Sequence, residues 1–335
     1  MVRHFNKYDL LKCIATVLVV IGHVTILYNA KKHPEMNTVF LESVTTAIYF
    51  FHMPLFMAVS GSLYEIGFKK GKYREFIPFV KNKLSRLIVP YLCVGFLFLL
   101  PTLVLINDDL TFCQPDLYAK IILAQDNRHL WFLLALFWIF IFQFIADKSG
   151  TPRWLIFCIA LGLSYLKSFE TIRTIAHLNQ TFTMALHYWP YFILGIMIED
   201  YDNIKIKQPT ITLIGILGAI LCGGGKYLSD VFWMDAALHI LCPCFIIIVF
   251  DVMARKIIKY IKASKWLNIF LNNSFAIYLF HVELIFIMHH YLRDVSAYIL
   301  IPLMLVTSIM LSICIAIVIR KLKLQFIIGE KYIRS

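Results

Sequence analysis

The stretch Leu10–Tyr28, LLKCIATVLVVIGHVTILY, decides the fold class. Its only ionisable side chains besides the closing tyrosine and Cys13 are Lys12 and His23. At 1.5 Å per residue it is long enough to cross a hydrocarbon core of about 30 Å as a helix. It shows no period-two alternation, and neither does the equally apolar run Ile299–Ile319 near the other end, so an outer-membrane barrel with alternating strands of about ten residues is excluded. Runs of spanning length cover roughly 10–28, 43–65, 87–106, 130–146, 154–168, 182–198, 209–225, 231–250, 268–290 and 297–319. They predict an all-α, polytopic membrane bundle of about ten transmembrane helices. The spans 154–168 and 209–225 are short, the first flanked by Lys167 and the second broken by Gly223-Gly224-Gly225.

Composition points the same way. Of 335 residues 60% are hydrophobic and 16% charged, whereas a soluble domain carries roughly 25% charged residues. Mean hydropathy is +0.75. The longest connection between spans is about 20 residues, which leaves room for a single integral-membrane domain over 1–335 and none for an appended soluble one.

The net charge of +12 forms no single patch of the kind that binds nucleic acid. It follows the loops instead. With the N-terminus in the cytosol, 23 of the 32 basic residues fall on inside segments and eight on outside ones, with Lys12 inside the first span. This asymmetry predicts both termini cytoplasmic. The first apolar run lacks a small-residue cleavage site after it, so it reads as a retained span rather than a signal peptide. Six of the eight cysteines lie in apolar runs and read as small buried hydrophobes. Cys242-Pro243-Cys244 has neither metal spacing nor a redox context, and no metal is expected.

Ionisable residues inside spans cost several kcal/mol unless they face a partner or a cavity, so they are the functional candidates. Lys12 and His23 are eleven residues apart, three helical turns plus about 20°, and leave one face of the first helix about 16 Å apart along its axis. They read either as the end and middle of a cavity or as a snorkelling lysine and a packing histidine. Phe51-His52-Met53-Pro54-Leu55-Phe56, followed by Ser60-Gly61, places His52 beside a proline that breaks backbone hydrogen bonding and opens polar access; a kinked helix with a structural histidine is the alternative. Lys83 and Arg86, three apart at a helix start, form either a phosphate-holding pair or an orientation signal. Arg128-His129-Leu130-Trp131-Phe132 suits sugar contact or an interfacial anchor. In Asn272–Glu283, Ser274, Tyr278 and His281 share a stripe at i, i+4 and i+7, with Glu283 nearby, and line something polar.

Taken in order, Asp9-Leu10-Leu11-Lys12 with Ile21-Gly22-His23, His52-Met53-Pro54-Leu55-Phe56 with Ser60-Gly61, Lys83 and Arg86 before Pro90-Tyr91, His129-Leu130-Trp131-Phe132, and Tyr278-Leu279-Phe280-His281 resemble the acyltransferase-3 family over essentially the whole chain. These are bacterial multi-pass membrane acyltransferases that mostly modify surface polysaccharides. The resemblance implies transfer of an acyl group, usually acetyl, from cytoplasmic acyl-CoA to a hydroxyl of a cell-surface or lipid-linked glycan, with the protein in the bacterial cytoplasmic membrane among its lipids. Acetyl-CoA is then a co-substrate. The resemblance makes His23 the leading catalytic residue with Lys12 as its basic partner, and assigns Lys83 and Arg86 to the CoA. Arginine is the usual residue at both lysine positions, and lysine keeps the charge but loses the bidentate fork.

Elementary chemistry fits these roles. A sugar hydroxyl is a poor nucleophile at neutral pH, and an imidazole is the natural base to take its proton. His52, His129, Trp131, Ser274, Tyr278, His281 and Glu283 would line the substrate cavity. Rival readings are a proton-coupled transporter of a small polar solute using His23, His52, His281 and Glu283 as a relay, a scaffold for polysaccharide assembly, and a succinyl rather than acetyl transferase.

Overall fold

The computed structural model describes residues 5–28, 38–125, 128–166, 180–201, 208–228, 232–262 and 264–331. Among these residues the regular structure is helical throughout, with no strand. The helices are α1 (Lys7–Thr25), α2 (Val39–Lys69), α3 (Phe76–Ile106), α4 (Pro115–Ile122), α5 (Trp131–Lys148), α6 (Arg153–Leu166), α7 (Gln180–Tyr201), α8 (Gln208–Leu228), α9 (Phe232–Ile257), α10 (Lys265–Tyr291) and α11 (Ala297–Lys321). Short 3-10 turns at Arg128–Leu130 and Gln325–Ile328 precede α5 and follow α11.

Among the described residues eight helices are long and apolar enough to cross a membrane by length and composition, where ten spans are expected. The two others, Arg153–Leu166 and Thr210–Cys222, are shorter apolar helices at the two spans that the sequence flanks or interrupts with Lys167 and the glycine triplet. Four cysteines expected to be buried are so or nearly so, at Cys13, Cys242, Cys244 and the half-buried Cys93, but Cys158 and Cys314 are exposed on the apolar outer faces of α6 and α11.

α3 is one span assembled from α-helical pieces joined by two π-helical turns, Leu84–Ile88 and Gly95–Leu99. Each π turn is followed directly by a piece with a proline near its start, Pro90 or Pro101. A proline lacks the N–H and crowds the carbonyl four residues back, and widening the preceding turn relieves both defects where no water is at hand. α2, in contrast, stays α-helical on both sides of Pro54, with no π-helical turn beside His52.

The chain forms two compact units, neither continuous in sequence. The first comprises residues 1–15, 50–79 and 138–264; the second comprises 16–49, 80–137 and 265–335. In the first unit α6 packs on α7 and α8 on α9. α2 and α7 cross so closely at Gly61 and Gly195 that a Cβ on either would overlap the backbone carbonyl of Phe192 or Ala58. Ser62 Oγ donates to the Gly195 carbonyl at 2.9 Å in the same crossing. Close backbone approach is what small residues supply where lipid offers no hydrophobic drive between helices.

Charges of this unit gather at helix ends. Lys7 reaches Glu199 at 2.9 Å and Asp251 at 3.1 Å, and Arg255 joins Asp251 at 2.5 Å. Arg153 bridges the buried Glu65, at 2.7 Å, and Asp200, which Lys69 also meets at 2.9 Å. Tyr64 donates to Asp147 at 2.8 Å. These pairs tie α1, α2, α5, α6, α7 and α9 at their charged ends, and the buried Glu65 and Asp251 each meet a cation.

The second unit contains α4, α10, α11 and parts of α1, α2, α3 and α5. Tyr91 of α3 donates to the Ile121 carbonyl of α4 at 2.5 Å, and Phe98 meets Phe280 of α10 edge to face at 5.0 Å.

The α2–α7 crossing makes a prediction about stability. Gly61→Ala and Gly195→Ala should each cost about 1–3 kcal/mol, the range for overpacking a tight contact. Gly162→Ala, where an added Cβ meets nothing within 4 Å, should be neutral or stabilising. Thermal unfolding of detergent-purified protein distinguishes the three; equal behaviour would mean that the crossing tolerates separation.

Candidate functional site

His23 lies near the end of α1, and the residue before it determines what it meets. A Cβ at Gly22 would stand 3.1 Å from both Ile48 and the Tyr49 ring, so glycine lets α2 approach closely at this level. Tyr49 Oη is thereby 3.2 Å from His23 Nδ1. Sequence reasoning missed Tyr49; the one signal for it was the small residue beside the histidine.

Three imidazoles from three helical segments then converge within the second unit. The His23 ring centroid is 5.2 Å from that of His281 and 6.2 Å from that of His129, and the last two are 5.4 Å apart. His129 and His281 are buried, at 5% and 0% exposure, while His23 is only half-buried.

α10 holds the two buried rings. His281 Nδ1 lies 2.7 Å from the Ile277 carbonyl and 3.0 Å from that of Tyr278, so that nitrogen carries a proton. The 3-10 turn Arg128–Leu130 is pinned to the same helix at three points. Tyr278 Oη donates to the His129 carbonyl at 2.6 Å. His129 Nε2 donates to the Leu279 carbonyl at 3.2 Å. Arg128 Nη1 donates to Glu283 Oε2 at 2.9 Å. The His129 ring thus lies along one turn of α10, between residue 279 and residue 283, with its Nδ1 4.0 Å from Glu283 Oε1.

Arg128 adopts φ +41°, an uncommon conformation for a non-glycine residue, which the three pins over-determine. Its guanidinium also stacks over Phe286 at 4.5 Å. Glu283 is fully buried, and Arg128 supplies the charge that a carboxylate needs there. Arg128 was legible as part of a polar run, but not as the partner of a glutamate 155 residues later.

The other expected site residues fall differently. Ser274 is half-buried and donates within its own helix to the Leu271 carbonyl at 3.0 Å. Trp131 is half-buried and meets Phe132 edge to face at 6.4 Å. Lys12, half-buried on α1, and His52, 3% exposed on α2, belong to the first unit. Lys83 and Arg86 do not share one exposed face. The π-helical turn between them advances less than the 100° per residue of an α-helix, which puts Lys83 inside, at 8% exposure, and Arg86 outside. The two cations remain within electrostatic reach of one another. Among the described residues no group of three or more His, Cys, Asp or Glu side chains is arranged to hold a metal ion.

The Arg128–Glu283 pair is testable by a double-mutant cycle. Arg128→Ala should destabilise by about 3–5 kcal/mol because it strands a buried carboxylate, and adding Glu283→Gln should recover part of that loss. Thermal stability of the purified variants measures it. Additive losses would show that the pair has no coupling.

Against other proteins, neither the curated chains nor the solved structures give a significant match. A family model does: the acyltransferase-3 model, described as an acyltransferase domain, matches residues 5–321. The chain belongs to the acyltransferase-3 family.

Proposed function

We propose that the chain is an O-acyltransferase of the bacterial cytoplasmic membrane. It moves an acyl group, acetyl in this reading, from cytoplasmic acyl-CoA to a hydroxyl of a surface or lipid-linked glycan, with both termini inside. Family membership supports acyl transfer as the class of reaction over solute transport. The observation that carries the assignment of the base is the difference between the three imidazoles. His129 and His281 are buried with a ring N–H each committed to backbone carbonyls, and His23 is the one with surface left for a substrate.

In this reading Tyr49 accepts the Nδ1 proton of His23, which makes Nε2 the basic nitrogen. Nε2 takes the proton of the acceptor hydroxyl as its oxygen attacks the thioester carbonyl. The tetrahedral intermediate collapses by breaking the C–S bond, and the departing CoA thiolate recovers the proton from the imidazolium. Each product forms with the enzyme returned to its starting state. His129 and His281, held by α10, pack the His23 ring from two sides and fix its orientation. Lys83 and Arg86, the first buried and the second exposed, would hold the anionic CoA. Lys12, three turns before His23 on the same helix, would serve as its basic partner. Trp131, Ser274, Tyr278 and Glu283 would complete the walls of the substrate cavity within the second unit.

Activity is read as O-acetyl content of surface glycan by mass spectrometry, with membrane levels of each variant matched. His23→Ala and His23→Gln should lower it by about 10² to 10⁴, the scale of general-base catalysis. Tyr49→Phe removes one neutral hydrogen bond and should cost about fivefold. Full acetylation in either His23 variant would end the general-base assignment.

A further inference from the structure

The second unit contains one feature that the reaction scheme leaves unused, the segment after α11. The 3-10 turn Gln325–Ile328 packs on the α-helical piece of α3 that begins at Val89, with Ile328 buried at 1% exposure. Arg320 at the end of α11 ties it down. Its guanidinium takes both carboxylate oxygens of Glu330, Nε to Oε2 at 2.8 Å and Nη2 to Oε1 at 2.6 Å. It also donates to Asn273 Oδ1 at 2.6 Å and to the Asn272 carbonyl at 3.2 Å, so α10, α11 and the turn share one clamp. A bidentate fork of this kind fixes geometry as well as charge.

Between the turn and the clamp stands Gly329, at φ +63°. A Cβ there would lie 2.7 Å from the Arg86 carbonyl oxygen and 3.1 Å from Pro90 Cγ. In an α-helix that carbonyl would accept from residue 90, and a proline has no N–H to give. The Cα hydrogen of Gly329 occupies the direction a side chain would take, and so faces that carbonyl at close range. The same carbonyl belongs to the π-helical turn that turns Lys83 inward and Arg86 outward.

We infer that the C-terminal turn is part of the acyl-donor site, with Gly329 a positioning residue that acts through the Arg86 backbone. It fixes the π-helical turn in the register that presents the Arg86 guanidinium to the nucleotide phosphates of the donor. Arg320 and Glu330 hold Gly329 in place. This rests on the reading of Lys83 and Arg86 as the donor's anion site.

The test uses full-length purified protein and equilibrium binding of labelled acetyl-CoA, with S-acetylpantetheine, which lacks the nucleotide phosphates, as competitor. Gly329→Ala should weaken acetyl-CoA binding on the order of five- to tenfold while leaving competition by S-acetylpantetheine unchanged. Gly329→Asn should do the same, because asparagine tolerates the positive φ and only its Cβ is at fault. Arg320→Lys, which keeps the charge and loses the fork, should weaken acetyl-CoA binding by a smaller factor and covers the case in which the Gly329 variants fail to fold. Arg86→Ala is the reference. If it weakens acetyl-CoA binding and the Gly329 and Arg320 variants do not, the positioning role is wrong and the donor site stands. If Arg86→Ala has no effect, the donor-site reading itself fails and the inference with it. Equal loss for acetyl-CoA and S-acetylpantetheine in the Gly329 variants would reduce the turn to a structural prop.

Discussion

Hydrocarbon cannot hydrogen-bond, and that constraint governs the parts of this protein that matter. Every polar group taken into a span must find its partner inside the protein. The tie between Arg128 and Glu283 is the plainest instance, a fully buried carboxylate met by a guanidinium from another helix. From it follow the pinned 3-10 turn, the placement of His129 along α10 and, through the packed rings, the environment of His23. Remove the tie and a fully buried carboxylate loses its guanidinium, which the fold accommodates only by rearrangement or protonation.

The sequence was informative wherever a single helix carried the signal. The apolar run of α1 announced a span, and the stripe Tyr278, His281 and Glu283 announced a polar face on α10. What it could not show was pairing between helices. Tyr49 sits in an aromatic run that reads as lipid-facing bulk, and only the approach of α2 at Gly22 brings its hydroxyl to His23. Ser274 looked equivalent to Tyr278 by spacing, yet its hydroxyl is satisfied within its own helix while Tyr278 reaches across to another. Two of the apolar runs are met, among the described residues, by the shorter apolar helices Arg153–Leu166 and Thr210–Cys222.

Helical register is the other thing spacing conceals. Lys83 and Arg86 are three apart, which on an α-helix means neighbours on one face, but a π-helical turn separates one buried cation from one exposed cation. The prolines that follow were visible all along at positions 90 and 101. Pro54 shows why they did not suffice as a signal: it has the same chemistry, and α2 passes through it without changing register.

The separation of Arg128 from Glu283 along the chain has a consequence for biogenesis. Arg128 leaves the ribosome 155 residues before its partner, so the helix bearing Glu283 reaches the membrane after the arginine's own helix has been synthesised. A lone acidic side chain at the centre of an inserting segment costs about 2.5–3.5 kcal/mol. An arginine already at hand offsets that penalty, and the late helix gains a fixed landing place beside an early one. Burying the acidic side chain of the later helix therefore depends on a basic one made earlier, which ties the packing of α10 to a segment synthesised before it.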